Sequence, residues 1–149
     1  GSRVRTDEAG RFRREPAPAA PGVLLARRRG LAALALDIGQ GRRLQGGEVG
    51  DLVLPDRTGR VAGTVRDGQG NPLDGALVLL ASSGLPAGEW FARTARGGRF
   101  ELGDLPWGRW ELFLLPPGSS PPLSFAGESP RARFEFTPAQ PRADLSLGF

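Results

Sequence analysis

"GTVRDGQGNPLDGALVLL", Gly63 to Leu80, is the stretch on which the fold turns. At its start Gly63 and Val65, and near its end Ala76, Val78 and Leu80, sit at every second position, the spacing of strands that bury one face. Between them, Asp67-Gly68-Gln69-Gly70-Asn71-Pro72 gathers residues that tolerate or fix unusual φ angles. The stretch therefore predicts two strands joined by a loop.

The same alternation continues on both sides. Val61 precedes it; Phe100 and Leu102, then Trp110, Leu112 and Leu114, then Phe134 and Phe136, then Leu145 and Leu147 follow. The intervening positions include Arg66, Arg99, Glu101, Arg109, Glu111, Arg133 and Glu135, so each strand is expected to present one apolar face and one wet face. Gly97-Gly98 and Pro116-Pro117-Gly118 mark further turns. Leu115 to Pro122 reads as a longer loop, followed by a short strand around Leu123 to Phe125. Gly (23) and Pro (14) break the chain into short apolar runs about every eight to twelve residues, which predicts an all-β sandwich. A helix competes only over "VLLARRRGLAALAL", Val23 to Leu36, whose Leu, Ala and Arg are good helix formers. Gly30 interrupts it, and two short strands, Val23 to Ala26 and Leu31 to Leu36, joined by an Arg27-Arg28-Arg29-Gly30 turn, are the expectation.

Composition removes several function classes. The 149 residues contain no Cys and no His, so thiolate zinc sites, disulfides, a cysteine nucleophile and the commonest general base are all excluded. No apolar run is longer than Leu31 to Leu36, which is far below the roughly 20 residues of a membrane span. No signal-like segment opens the chain; with no Met and a Gly1-Ser2 start, the natural beginning is expected upstream. All 20 basic residues are Arg, and the net charge of +4 is modest and mixed in sign. Coding bias explains this better than polyanion binding, so a nucleic-acid partner is not expected.

A seven-residue frame recurs. "TDEAGRF" at Thr6 to Phe12 returns as "TARGGRF" at Thr94 to Phe100, and "GDLVL" at Gly50 to Leu54 is echoed by "ADLSL" at Ala143 to Leu147. The offset, 88 residues at the first pair and 93 at the second, is the size of a small sandwich domain. The run Gly63 to Leu80, with Thr94 and "GRFELGDLPWGRWEL" (Gly98 to Leu112), resembles the carboxypeptidase regulatory-like domains, transthyretin-like sandwiches related to the collagen-adhesin B-type (CnaB-like) repeats. Their first phrase, G-x-V-x-D-x-x-G-x-P-x-x-G-A-x-V, is filled by Gly63, Val65, Asp67, Gly70, Pro72, Gly75, Ala76 and Val78. Thr94, Gly98 and Phe100 fill the second, T-D-x-x-G-x-F, with Ala95 in place of Asp. Leu105, Pro106, Gly108 and Leu112 fill the third, L-P-x-G-x-Y-x-L, with Trp110 in place of Tyr.

The resemblance implies a Greek-key transthyretin-like β-sandwich, complete over residues 59–149. Residues 1–55 match only the second half of such a repeat, through Thr6, Asp7, Gly10 and Phe12. That partial copy would pack on the complete domain, borrow strands from another chain or stay partly unfolded; packing within the chain is the expectation. The adhesin relatives form Lys isopeptide crosslinks, which a chain without Lys cannot make. The resemblance further implies an extracytoplasmic location and a non-enzymatic accessory module of a larger bacterial protein. Its role would be spacer, scaffold or contact with other domains or another protein. No cofactor and no metal are expected: the carboxylates lack the D-x-D-x-D-G concentration of a calcium loop, and Asp67 is expected to close an Asx-turn. The structural weight would fall on the turn residues Gly70, Gly98 and Gly108 and on the core side chains Phe100 and Trp110.

Ligand contact has two sets of candidates. Trp90, in "GEWFART" after a Gly/Pro loop, and Trp107, in the "LPWG" turn, would stack on a sugar or a partner side chain if both indoles were exposed on one surface. This is the alternative, carbohydrate-binding expectation, with polysaccharide as partner. The Arg27, Arg28 and Arg29 cluster would contact acidic groups, although a solvated turn explains it equally well.

Overall fold

The computed structural model describes residues 4–13, 23–32, 34–37, 52–54, 58–83, 85, 88–122 and 127–149. Among these residues there is no helix. The strands are β1 (Val23–Ala26), β2 (Leu34–Asp37), β3 (Gly59–Arg66), β4 (Leu77–Ala81), β5 (Trp90–Arg93), β6 (Arg99–Leu105), β7 (Gly108–Leu115), β8 (Ala132–Phe136) and β9 (Arg142–Gly148). They form a hairpin, β1-β2, and two sheets of order β6-β3-β9 and β5-β4-β7-β8 that make up the sandwich. The second sheet is wholly antiparallel, whereas β3 pairs with β6 antiparallel and with β9 parallel. The short strand expected near residues 123–125 lies outside the described residues.

The core follows the alternation. Val61 and Val65 of β3, Val78 and Leu80 of β4, Phe100 and Leu105 of β6, Trp110, Leu112 and Leu114 of β7, Phe136 and Leu147 all turn inward and are buried. Trp90 and Trp110 meet edge to face, 5.4 Å between centroids at 74°, as ring quadrupoles favour. Gly63 has a packing role. It is paired with Phe100 on one side and Leu145 on the other, and a Cβ there would run into the Leu145 carbonyl oxygen and approach the Phe100 ring.

The expectation of one wet face fails for β4 and β7. Leu77, Leu79 and Phe113 point away from the sandwich core yet are buried, with Ala81 and Leu115 against them, in a second cluster. The loop after β7 returns along this face. Arg93, directly opposite Leu77, donates from Nη2 to the Ser119 carbonyl at 2.5 Å, and Gly88 lies against Pro121 and Pro122. The continuous run "ALVLL" is thus a strand apolar on both faces.

The expected turns form. Asp67 Oδ1 accepts from the backbone N–H groups of Gln69 and Asn71 at 2.9 and 3.0 Å, and the turn closes through Asp67 N–H to Asn71 O and Gly70 N–H to Asp67 O. Gly70 and Gly108 have φ of 84° and 117°. Gly98, at φ 71°, is required twice over, because a Cβ there would also meet the Val65 carbonyl oxygen.

Candidate functional site

The repeated frame shows what its residues do when complete. Thr94, at the end of β5, is buried; its hydroxyl donates to Leu73 O at 2.5 Å and accepts from Ala76 N–H at 3.0 Å. It thereby ties the loop between β3 and β4 to the turn that follows β5. That turn closes through Ala95 N–H to Arg99 O and Gly98 N–H to Ala95 O. Ala95 cannot cap it, and Asp74 does so instead, its Oδ1 accepting from Gly97 and Gly98 N–H at 3.1 and 3.2 Å.

The earlier frame makes the same turn. Asp7 N–H donates to Arg11 O and Gly10 N–H to Asp7 O, while Asp7 Oδ1 accepts from Ala9 and Arg11 N–H at 2.9 and 2.8 Å. Bond for bond this also matches the Asp67 turn. The surroundings differ. Phe100 is 5% exposed and Phe12 is 38% exposed, Thr94 is buried and Thr6 is exposed, and Val4 and Val53 also face solvent.

The β1-β2 hairpin forms where the alternation placed two strands, with Val23 opposite Asp37 and Ala26 opposite Leu34. The second strand begins at Leu34 rather than Leu31, because Leu31 N–H closes the turn on Arg28 O. The hairpin rests on the sandwich beside β5. Leu25 packs on the core, and Gly30 N–H donates to Asp104 at 3.1 Å. The Arg27 guanidinium carbon stands 5.3 Å from the Trp90 ring centroid, and Arg27 also reaches the Glu89 carbonyl at 3.3 Å and the Glu89 carboxylate at 3.7 Å.

These contacts correct the expected pair of exposed indoles. Trp90 is 2% exposed, and its Nε1 has no hydrogen-bond partner among the described residues. Trp107 is half-buried against the core. The physical reason lies in the dipeptide: successive strand residues point to opposite faces, so of Trp90 and Phe91 one must turn inward. The larger ring does, and Phe91 is left 45% exposed. Trp110, expected in the core, is there, with its Nε1 donating to Pro106 O at 3.0 Å. The three arginines do not act as one patch. Arg27 is engaged with Trp90 and Glu89, whereas Arg28 and Arg29 project from the exposed turn.

A third surface was not signalled by any motif. An open cleft of about 860 Å³ lies on the outer side of β7 and β8, lined by Ser82, Arg109, Glu111, Phe113, Arg133 and Glu135. Four of its charged groups are paired across the strands, Arg133 with Glu111 at 3.0 Å and Arg109 with Glu135 at 3.9 Å. Its Ser82 hydroxyl donates to Arg109 O at 2.7 Å. Such cross-strand pairs stabilise a sheet. No group of three or more potential metal ligands occurs among the described residues.

No known family's sequence profile matches the chain, and no curated protein matches it. Among solved structures the chain is similar to BcpA, the major pilin subunit of Bacillus cereus, at 18% identity and a TM-score of 0.49, covering 64% of this chain and 30% of the pilin. A variant of that pilin gives 17% identity and a TM-score of 0.46 over 65% of this chain and 30% of the other. The Bacillus anthracis TIE protein gives 20% identity and a TM-score of 0.44, over 64% of this chain and 17% of that one. The chain spans less than a third of the length of each.

Proposed function

We propose that residues 58–149 serve as a non-enzymatic spacer that carries tension along a larger extracytoplasmic protein. The observation behind this reading is the parallel pairing of the first and last strands of the sandwich. Seven consecutive residues of β3, Arg60 to Arg66, pair with Arg142 to Gly148 of β9. Arg60 N–H to Pro141 O and Phe149 N–H to Arg66 O extend the ladder at its two ends. Because the strands run the same way, the chain enters at one end of the ladder and leaves at the other. At about 3.3 Å per residue the two points are roughly 20 Å apart. Tension between them loads every rung in shear at once, whereas an antiparallel terminal pair would open rung by rung. The resemblance to carboxypeptidase regulatory-like and CnaB-like modules points the same way, and contact with neighbouring domains is part of this role.

The chain has no native Cys, so single-molecule handles can be placed at will. The variant Arg60→Cys with Gly148→Cys pulls β3 and β9 in shear, and Arg60→Cys with Arg142→Cys unzips them from one end. The shear pair is expected to unfold at a several-fold higher force. Equal or lower force in shear would remove the basis for a tension-bearing spacer.

A further inference from the structure

We infer that Asp67 is a site of spontaneous isomerisation, where the Gly68 amide closes on the Asp67 side chain and the main chain is rerouted through it.

The chain has two Asp-Gly pairs, Asp67-Gly68 and Asp74-Gly75. At either pair the chemistry is the same. The backbone nitrogen of the glycine attacks Cγ of the aspartic acid, a C–N bond forms, and the side-chain hydroxyl leaves with the amide proton as water. Water then reopens the five-membered imide at one of its two carbonyls. Opening at Cγ restores aspartate. Opening at the former main-chain carbonyl gives isoaspartate, in which the chain runs through Cβ and Cγ and the α-carboxylate is free. Glycine permits this closure most readily, because no Cβ crowds the attacking nitrogen. Asn71 lacks the related route, since Pro72 has no amide N–H.

The fold separates the two pairs. Asp67 Oδ1 accepts from the N–H groups of Gln69 and Asn71 at 2.9 and 3.0 Å, which folds the carboxyl forward over the Gly68 peptide. Gly68 is exposed, and its N–H donates to nothing among the described residues. At the other pair both reacting groups are held. Asp74 Oδ1 accepts from Gly97 and Gly98 at 3.1 and 3.2 Å in the turn after β5, and the Gly75 N–H donates to Thr94 O at 2.8 Å. The Gly75 nitrogen can turn toward Cγ only by giving up that bond. The turn at Asp7 is the complementary case: its Oδ1 makes the same two bonds, to Ala9 and Arg11, but Glu8 follows it and its Cβ crowds the nitrogen. Of the three, Asp67 alone combines a forward-folded carboxyl with a free glycine amide. The product loses the Oδ1 bonds and lengthens the loop between β3 and β4 by one methylene.

Incubating the full chain for weeks in neutral buffer tests this, with peptide mapping by electron-transfer fragmentation to tell isoaspartate from aspartate. Isoaspartate is expected at residue 67 at least about fivefold faster than at residue 74, with none at residue 7. Gly68→Ala, at a position where φ lies outside the left-handed region and a Cβ meets nothing within 4 Å, should keep the fold and slow residue 67 at least about fivefold. Glu8→Gly should make Asp7 reactive. In concentrated urea residues 67 and 74 should converge, because the hydrogen bonds that separate them are gone. The proposal is overturned if residue 74 matches residue 67 in the folded chain, if residue 67 forms no isoaspartate, or if Gly68→Ala leaves its rate unchanged. A gap that persists in urea, or an Asp7 that stays inert in Glu8→Gly, overturns it as well. None of these outcomes bears on the pairing of β3 with β9 or on its mechanical test.

Discussion

Phe100 and Thr94 show how much one position can depend on its copy. Removing the Phe100 ring empties the space over Gly63, and Phe100→Ala is expected to cost about 3 to 5 kcal/mol in denaturant unfolding. A loss below about 1 kcal/mol would contradict its place in the core. Thr94→Val keeps the shape but leaves the Ala76 N–H and Leu73 O without their side-chain partner. It should cost about 2 kcal/mol, most of which Thr94→Ser restores. At Trp90 the expected outcome is optical. Arg27→Ala, in a Trp107→Phe background, should open Trp90 to acrylamide quenching while stability changes by less than about 1 kcal/mol, since exposed ion pairs and cation–π contacts are weak. The sequence made Trp110 legible because it falls in phase with Leu112 and Leu114. It misled at Trp90 because a two-residue W-F run does not say which ring turns inward.

Alternation located the strands of the sandwich but misassigned one face. β4 reads as half-buried when only Ala76, Val78 and Leu80 are considered, yet Leu77 and Leu79 between them are fully buried. Leu79→Ala is accordingly expected to cost about 2 to 5 kcal/mol by denaturant unfolding. A surface leucine there would cost less than about 0.5 kcal/mol. The information was in the uninterrupted apolar run, but its meaning depended on a distant strand, since Phe113 of β7, paired with Leu79, completes the outer cluster. The turns were more readable. Asp67, Gly70 and Asn71 act on one another within five residues, and so do Asp7 and Gly10, so their hydrogen bonds follow from local chemistry. Asp74 capping the turn at Gly97 and Gly98 is a long-range event that the sequence did not signal.

At the scale of the molecule, among the described residues the hairpin meets the sandwich around Leu25, Arg27 and Gly30. Residues 58–149 expressed alone are expected to fold and to keep the near-ultraviolet circular dichroism of the Trp90-Trp110 pair, with Trp90 newly accessible to quencher. Loss of that signal would mean that the hairpin is needed for the sandwich itself. With the hairpin in place, neutral polysaccharides should leave Trp fluorescence unchanged, since Trp90 is buried beneath Arg27 and Trp107 is half-buried against the core. A saturable change would reinstate sugar binding.

What the sequence determined by itself was whatever depends on neighbours along the chain. This comprises the strand periods, the Asx and glycine turns, the repeat of the T-x-x-x-G-x-F frame, and the chemistries excluded by the absence of Cys, His and Lys. These are set by sterics and hydrogen bonding within a few residues, so one dimension suffices to read them. Only the tertiary structure decided which ring of Trp90 and Phe91 is buried, that both faces of β4 are buried, that the first and last strands of the sandwich run parallel, and that Phe12 is exposed where Phe100 is buried. Each of these depends on which distant segments meet, and alternation within a strand carries no record of the partner on either side.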